Sequence, residues 1–243
     1  MRKIEIFIIT GASKGIGLSL ANQLTEKGKQ VIGLARTKPA EAKHFINVDL
    51  TETEKLPKIL AELIQQYKDE ATSFTLINNA GTVEPIGLMG TVEGHSVADA
   101  LAINLTAPMI LSNTFIKELA DFTGTKKIVN ISSGAGRKAY EGWGVYCTTK
   151  AGLDHFSRVV AAEQATEKYP VHIVAIAPGI IDTDMQQTIR ASNQDVFPLV
   201  ERFIDYKAEG QLSSPEETAR KLIAFIETAN LKQVGPIADI REW

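Results

Sequence analysis

The chain has 243 residues, of which 44% are hydrophobic and 23% charged, with a formal net charge of −3; this fits one domain with a sizeable core and leaves no basic excess for a nucleic acid partner. A single cysteine, Cys147, excludes an internal disulfide and suits a reducing cytoplasm, and the four histidines show no metal-ligand spacing. The opening MRKIEIFIITGAS has no cleavage site, and no segment approaches the roughly 18 apolar residues of a membrane span, so neither secretion nor membrane insertion is expected.

The apolar run IFIIT (6–10) reads as a strand and passes into TGASKGIG (10–17), after which Leu18, Leu20, Ala21 and Leu24 recur at helical spacing as far as Gly28. In this turn Gly11, Gly15 and Gly17 allow a tight bend and close approach of backbone to a pyrophosphate, while the helix N-terminus offers N–H donors and partial positive charge. Three residues separate the first two glycines, unlike the usual dinucleotide fingerprint, and glycine turns also arise for packing alone. After the second strand, QVIGLA (30–35), an NAD-selective site would place an acidic residue on the ribose 2′-hydroxyl. Residues 28–40 hold no carboxylate, and Arg36 stands there instead. A guanidinium suits a 2′-phosphate, and Lys14 offers a second cation. Either cation alone would read as a solvated surface charge; together they favour NADPH over NADH.

The alternation then continues. HFINVDL (44–50) reads as a strand, TEKLPKILAELIQQY (53–67) as a helix, FTLINNA (74–80) as a strand and residues 96–120 as one long helix. KKIVNISS (126–133), residues 146–168 and VHIVAIAP (171–178) follow as strand, helix and strand. Continuously apolar strands separated by helices imply an α/β fold with a parallel sheet covered on both faces. Between 182 and 213 helical pieces interrupt the pattern beyond a strand's carboxyl end, where a doubly wound sheet places a substrate lid.

VYCTTKAG (145–152) puts Tyr146 and Lys150 one turn apart on the same helix face. A tyrosine can donate a proton to a carbonyl oxygen as hydride reaches its carbon, and a nearby ammonium would draw its pKa down. The spacing also fits a surface tyrosine lying on a lysine stem. Upstream, Ser132 and Ser133 end a strand, where one hydroxyl can bond a substrate oxygen and the other the backbone. Ser133 is the candidate for catalysis.

TGASKGIG, NNAG (78–81), Asn104 in the long helix, Ser133, Tyr146, Lys150 and Pro178-Gly179 occur in the order found in short-chain dehydrogenase/reductases, which the chain resembles nearly end to end. The resemblance implies a single Rossmann-type doubly wound domain of about seven strands over residues 1–243. It implies that Ser133 orients the carbonyl, Tyr146 is the acid, Lys150 holds the nicotinamide ribose and Asn104 supports a water-linked relay. Ser13, Ile16, Thr37, Asp49 and Leu50 join the cofactor site on the same ground, Asn79, Ala80 and Gly81 would line the adenine-ribose side, and Ile181 and Thr183 would meet the nicotinamide amide. EGWGVYC (141–147), PGIIDTDMQQ (178–187) and KAEGQL (207–212) resemble segments of sepiapterin reductases and bacterial benzil reductases. The tail VGPIADIREW (234–243) resembles that of the former, in which an aspartate anchors the pterin; Asp239 would correspond.

Trp143 reads equally as an apolar wall for a planar substrate ring and as buried loop support. Asp239 reads as a pterin ligand or a surface carboxylate, and Met185 as lid packing against substrate. The expectation is an NADPH-dependent reductase of a small-molecule carbonyl: a vicinal dicarbonyl such as benzil, or a pterin side-chain ketone. Competing readings are a non-catalytic NADPH sensor and a 3-oxoacyl thioester reductase. By the resemblance, helices near 95–121 and 146–168 pack against a second copy, so a homodimer is expected.

Overall fold

The apolar run that opens the chain becomes β1 (Ile4–Thr10), where Ile6, Phe7, Ile8 and Ile9 are all buried. A strand apolar on both faces needs cover on both, which sets the architecture. The structure, a computed structural model, describes residues 4–40 and 42–243. β1 lies between β2 (Gln30–Ala35) and β4 (Ala71–Asn78). The sheet extends to β3 (Phe45–Asn47) on one side and through β5 (Thr125–Ile131) and β6 (His172–Ala177) to β7 (Ile237–Asp239) on the other. All pairings are parallel, in the order β3-β2-β1-β4-β5-β6-β7 of a Rossmann-type single domain.

The helices are α1 (Gly15–Glu26), α2 (Leu56–Tyr67), α3 (Gly94–Leu101), α4 (Ala107–Glu118), α5 (Gly144–Gln164), α6 (Asp184–Arg190), α7 (Val200–Ala208), α8 (Pro215–Thr228) and the short α9 (Leu231–Val234). Leu20 and Leu24 of α1 pack with Leu222, Phe225 and Ile226 of α8 on one face of the sheet. Leu60 and Ile64 of α2, Leu111 and Phe115 of α4, and Val160 of α5 cover the other. Each such side chain, fully buried, contributes about 1.5–3 kcal/mol. Buried amides also cross the layers: Asn78 Nδ2 donates to Asn130 Oδ1 at 2.8 Å and Asn130 Nδ2 to Ser157 Oγ at 2.9 Å, which fixes α5 on β5.

Three elements differ from the sequence reading, each for a local reason. The expected strand 44–50 contracts to Phe45–Asn47, because Val48 and Leu50 turn into the core beside α2 instead of prolonging the sheet edge. The expected helix 96–120 is broken by a π-helical segment, Ala102–Thr106, between α3 and α4. Pro108 has no N–H to give the Asn104 carbonyl four residues earlier, so a regular helix cannot continue there. β7 has only three residues, too few to show a periodicity. Residues 182–213 fold largely as α6 and α7, pinned at the base by a bridge between Ile181 and Ser213. No helix among the described residues is long and apolar enough to cross a membrane.

Candidate active site

The order of the sheet reverses between β1 and β4, and a cavity of about 1060 Å³ opens beyond the carboxyl ends of these strands. Its floor is the glycine turn. Gly11 and Gly15 adopt φ of 66° and 56°, open to glycine at no cost, and a Cβ on Gly17 would lie 2.3 Å from the Gly11 carbonyl oxygen. Thr10 Oγ1 accepts from the backbone N–H of Asn79 at 3.0 Å and of Ala80 at 3.1 Å, while Asn79 Nδ2 donates to the carbonyls of Thr10 at 3.0 Å and Gly11 at 3.2 Å. No side chain caps the first turn of α1. A backbone cradle that a single methyl would fill, facing an uncapped helix N-terminus, fits the pyrophosphate of a dinucleotide.

Ser13, Ile16, Arg36, Thr37, Asp49, Leu50, Asn79, Ala80, Gly81, Pro178, Gly179, Ile181 and Thr183 all line this cleft, with Gly11 and Gly15; Gly17 supports the turn from behind. Asp49 is held below the usual carboxylate range chiefly by the Thr51 backbone N–H, with the Arg36 guanidinium adding to the effect. Lys14 also lines the cleft, and its ammonium sits on Asp184 of α6 at 2.8 Å. With the two side chains 72% and 64% exposed, that pair is solvent-screened and carries little weight.

Ser133, Tyr146 and Lys150 meet deeper in the cleft. The two serines divide their work. Both line the cavity, but the Ser132 hydroxyl donates to the buried Asp154 carboxylate, whereas Ser133 Oγ accepts from Ala135 N at 3.1 Å, which leaves its proton to donate. The Lys150 ammonium donates to the Ile131 carbonyl at 2.8 Å and lies 5.7 Å from the Tyr146 ring centroid. The expected lowering of the tyrosine by Lys150 is reversed here. Burial pushes the phenol up to about 12, partly offset by a hydrogen bond with Ser133, and burial takes Lys150 down to about 8, partly offset by Asp154. At neutral pH the phenol is therefore protonated, the state that an acid in carbonyl reduction needs.

Asn104 lies beneath the cleft, outside its lining. Its Nδ2 donates to Thr82 O at 2.8 Å and Thr149 Oγ1 at 3.2 Å, and its Oδ1 accepts from Thr82 N at 2.8 Å. Both amide protons are engaged, so the side chain braces the loop after β4 against α5. Above it, a Cβ on Gly81 would stand 3.3 Å from Asn104 Oδ1 and 3.6 Å from Lys150 Nζ, in contact with both side chains.

The far end of the cleft is aromatic. Trp143 is only 5% exposed, stacks on Phe197 with centroids 4.8 Å apart, and meets Tyr140, Tyr146 and Phe203 edge-on or tilted. It is thus chiefly internal support, and Tyr140, Phe203, Tyr206 and Met185 share the lining with it. The sequence signal for this wall was the aromatic-rich FPLVERFIDY (197–206). Asp239 does not line the cleft: Arg241 chelates it, donating from N and Nε to Oδ1 at 3.0 and 2.9 Å and from a terminal nitrogen to Oδ2. The residue that faces the cavity is Arg241.

The profile of the short chain dehydrogenase family matches residues 5–194. A benzil reductase ((S)-benzoin forming) from Bacillus cereus is 43% identical, covering 97% of this chain and 98% of its own. A sepiapterin reductase from Meriones unguiculatus is 31% identical over 91% of each chain. Among solved structures, a short-chain dehydrogenase/reductase from Saccharomyces cerevisiae superposes with a TM-score of 0.83 at 25% identity, covering 97% and 96% of the two chains. Sheet order, reactive cluster and similarity along the whole length agree, and the chain belongs to the short-chain dehydrogenase family, as an oxidoreductase of carbonyl and hydroxyl groups.

Proposed function

We propose that the protein is an NADPH-dependent carbonyl reductase whose substrate is a vicinal dicarbonyl of the benzil type. The observation that carries this reading is the buried, protonated Tyr146 beside Ser133 at the foot of an aromatic-lined cleft. Bound nicotinamide would supply the hydride. Tyr146 gives its proton to the carbonyl oxygen, the Ser133 hydroxyl donates to the same oxygen, and the Lys150 ammonium keeps positive charge beneath both. A second carbonyl withdraws electrons from the first and eases hydride addition. The rings of Tyr140, Phe203 and Tyr206 suit aryl substituents on that second carbonyl, as does the similarity to a relative named for benzil. A pterin is the weaker candidate, because the Asp239 carboxylate that would take its amino groups is already chelated by Arg241.

The test is the loss of NADPH absorbance on adding benzil, sepiapterin or a 3-oxoacyl thioester to purified protein. Benzil is expected to give the fastest turnover. A faster rate with sepiapterin or the thioester would move the assignment to that substrate, and NADPH binding without oxidation by any carbonyl would leave a cofactor sensor.

Arg36 carries the cofactor preference in this reading. Arg36→Ala should raise KM for NADPH roughly 10- to 150-fold, the equivalent of one charge-assisted hydrogen bond of about 1.5–3 kcal/mol, and change KM for NADH about twofold at most. Equal effects on the two cofactors, measured by initial rates, would show that Arg36 does not read a 2′-phosphate.

A further inference from the structure

Asp154 is 1% exposed on α5, one turn beyond Lys150, and none of the steps above uses it. An ionised carboxylate stays buried only with partners, and its partners here connect three parts of the site. Asp154 Oδ1 accepts from the Ser132 hydroxyl, and Oδ2 accepts from Arg137 Nε at 3.2 Å. Arg137 reaches on to the Ala238 carbonyl in β7 at 2.9 Å. Ser132 directly precedes Ser133, so the same carboxylate that anchors α5 also fixes the end of β5 that presents the catalytic hydroxyl. Lys150 itself rests on a neutral carbonyl, that of Ile131. The groups around its ammonium are Tyr146 and Asp154 on α5, Asn104 from the π segment and, behind Asp154, Arg137 from the loop after β5.

We propose that Asp154 is a positioning residue for the reaction: through Ser132 it holds Ser133 against Tyr146, and it supplies the buried countercharge that keeps Lys150 cationic. The inference rests on the reductase reading, and its test separates the two. In the full chain, Asp154→Asn should lower kcat about tenfold with KM for NADPH and carbonyl nearly unchanged. The alkaline limb of its kcat–pH profile should also move to lower pH, because Lys150 has lost the charge that favours its protonated form. Arg137→Gln should move the limb the opposite way, since the carboxylate then acts on Lys150 without a competing cation.

Opposite displacements support the proposal. A wild-type profile in Asp154→Asn, or displacements of the same sign, would overturn it. If Asp154→Asn does not fold, Arg137→Gln decides alone, its side chain being 30% exposed: a limb unmoved or moved down counts against the countercharge. Wild-type protein that oxidises no NADPH would sink the reductase reading instead. The Lys150 titration, followed by NMR in protein labelled at the lysine ε-carbon, then makes the same comparison without turnover, and an unchanged titration in both variants overturns the proposal.

Discussion

Tyr146→Phe is expected to lower kcat for carbonyl reduction by about 10³-fold, within the 10²–10⁴ that a positioned acid contributes, while the Kd for NADPH stays within about twofold. Phenylalanine keeps the ring that packs edge-on against Trp143 and removes only the oxygen, so the aromatic cluster and the fold remain. What disappears is the proton beside the carbonyl. Water is a poor replacement, because a phenol buried enough to be pushed up to about 12 lies where solvent does not reach easily. The wild-type enzyme adds a check of sign. Burial takes Lys150 down to about 8 and pushes Tyr146 up to about 12, so the first of these two protons to leave on raising pH is the lysine's. Reduction should hold through neutral pH and decline as pH passes about 8. Stopped-flow measurement of the hydride step with NADPH and benzil reads both effects. Undiminished turnover in Tyr146→Phe would remove the tyrosine from the mechanism, and a kcat independent of pH above neutrality would remove the need for a cationic lysine.

How much of this was legible depends on how far apart in the chain the cause lay. β1, the glycine turn and α1 follow one another within a few residues, and their apolar run, breakers and helical repeat are all local signals. Tyr146 and Lys150 share a face by helical geometry alone, and the end of β5 beside α5 brings Ser133 to them. The break at Asn104 was encoded just as locally, by Pro108, yet the apolar pattern on either side reads as one helix. The aromatic wall was hidden for a different reason. It joins Trp143 to Phe197 and Phe203, residues that only the return of the 182–213 segment over the cleft brings together. Asp239 was marked by the resemblance of the tail, and no local signal shows that Arg241, two residues on, folds back to chelate it. Asp154 carried a usable signal: a charge four residues after Lys150 lies on the buried face of α5.

Gly17→Ala, the smallest possible change, should disable the cofactor end of the cleft. A Cβ there would lie 2.3 Å from the Gly11 carbonyl oxygen and 2.5 Å from Asn79 Nδ2. The first obstacle is backbone, and the second is an amide already donating to Thr10 and Gly11, so neither can rotate out of the way. Relief requires the turn to move off α1, and with it the N–H groups that would meet the pyrophosphate. The Kd for NADPH should rise at least about tenfold, and overpacking should cost about 1–3 kcal/mol, or roughly 3–10 °C in Tm for a chain of this size. Gly28 supplies the comparison. It has φ of 76° with nothing within 4 Å of its would-be Cβ, so Gly28→Ala meets only the backbone penalty of about 1–2 kcal/mol. Both variants should therefore melt earlier, but only Gly17→Ala should lose NADPH affinity in a fluorescence titration. If Gly17→Ala binds NADPH as tightly as Gly28→Ala does, the glycines at the end of β1 serve packing alone and the pyrophosphate is held elsewhere in the cleft.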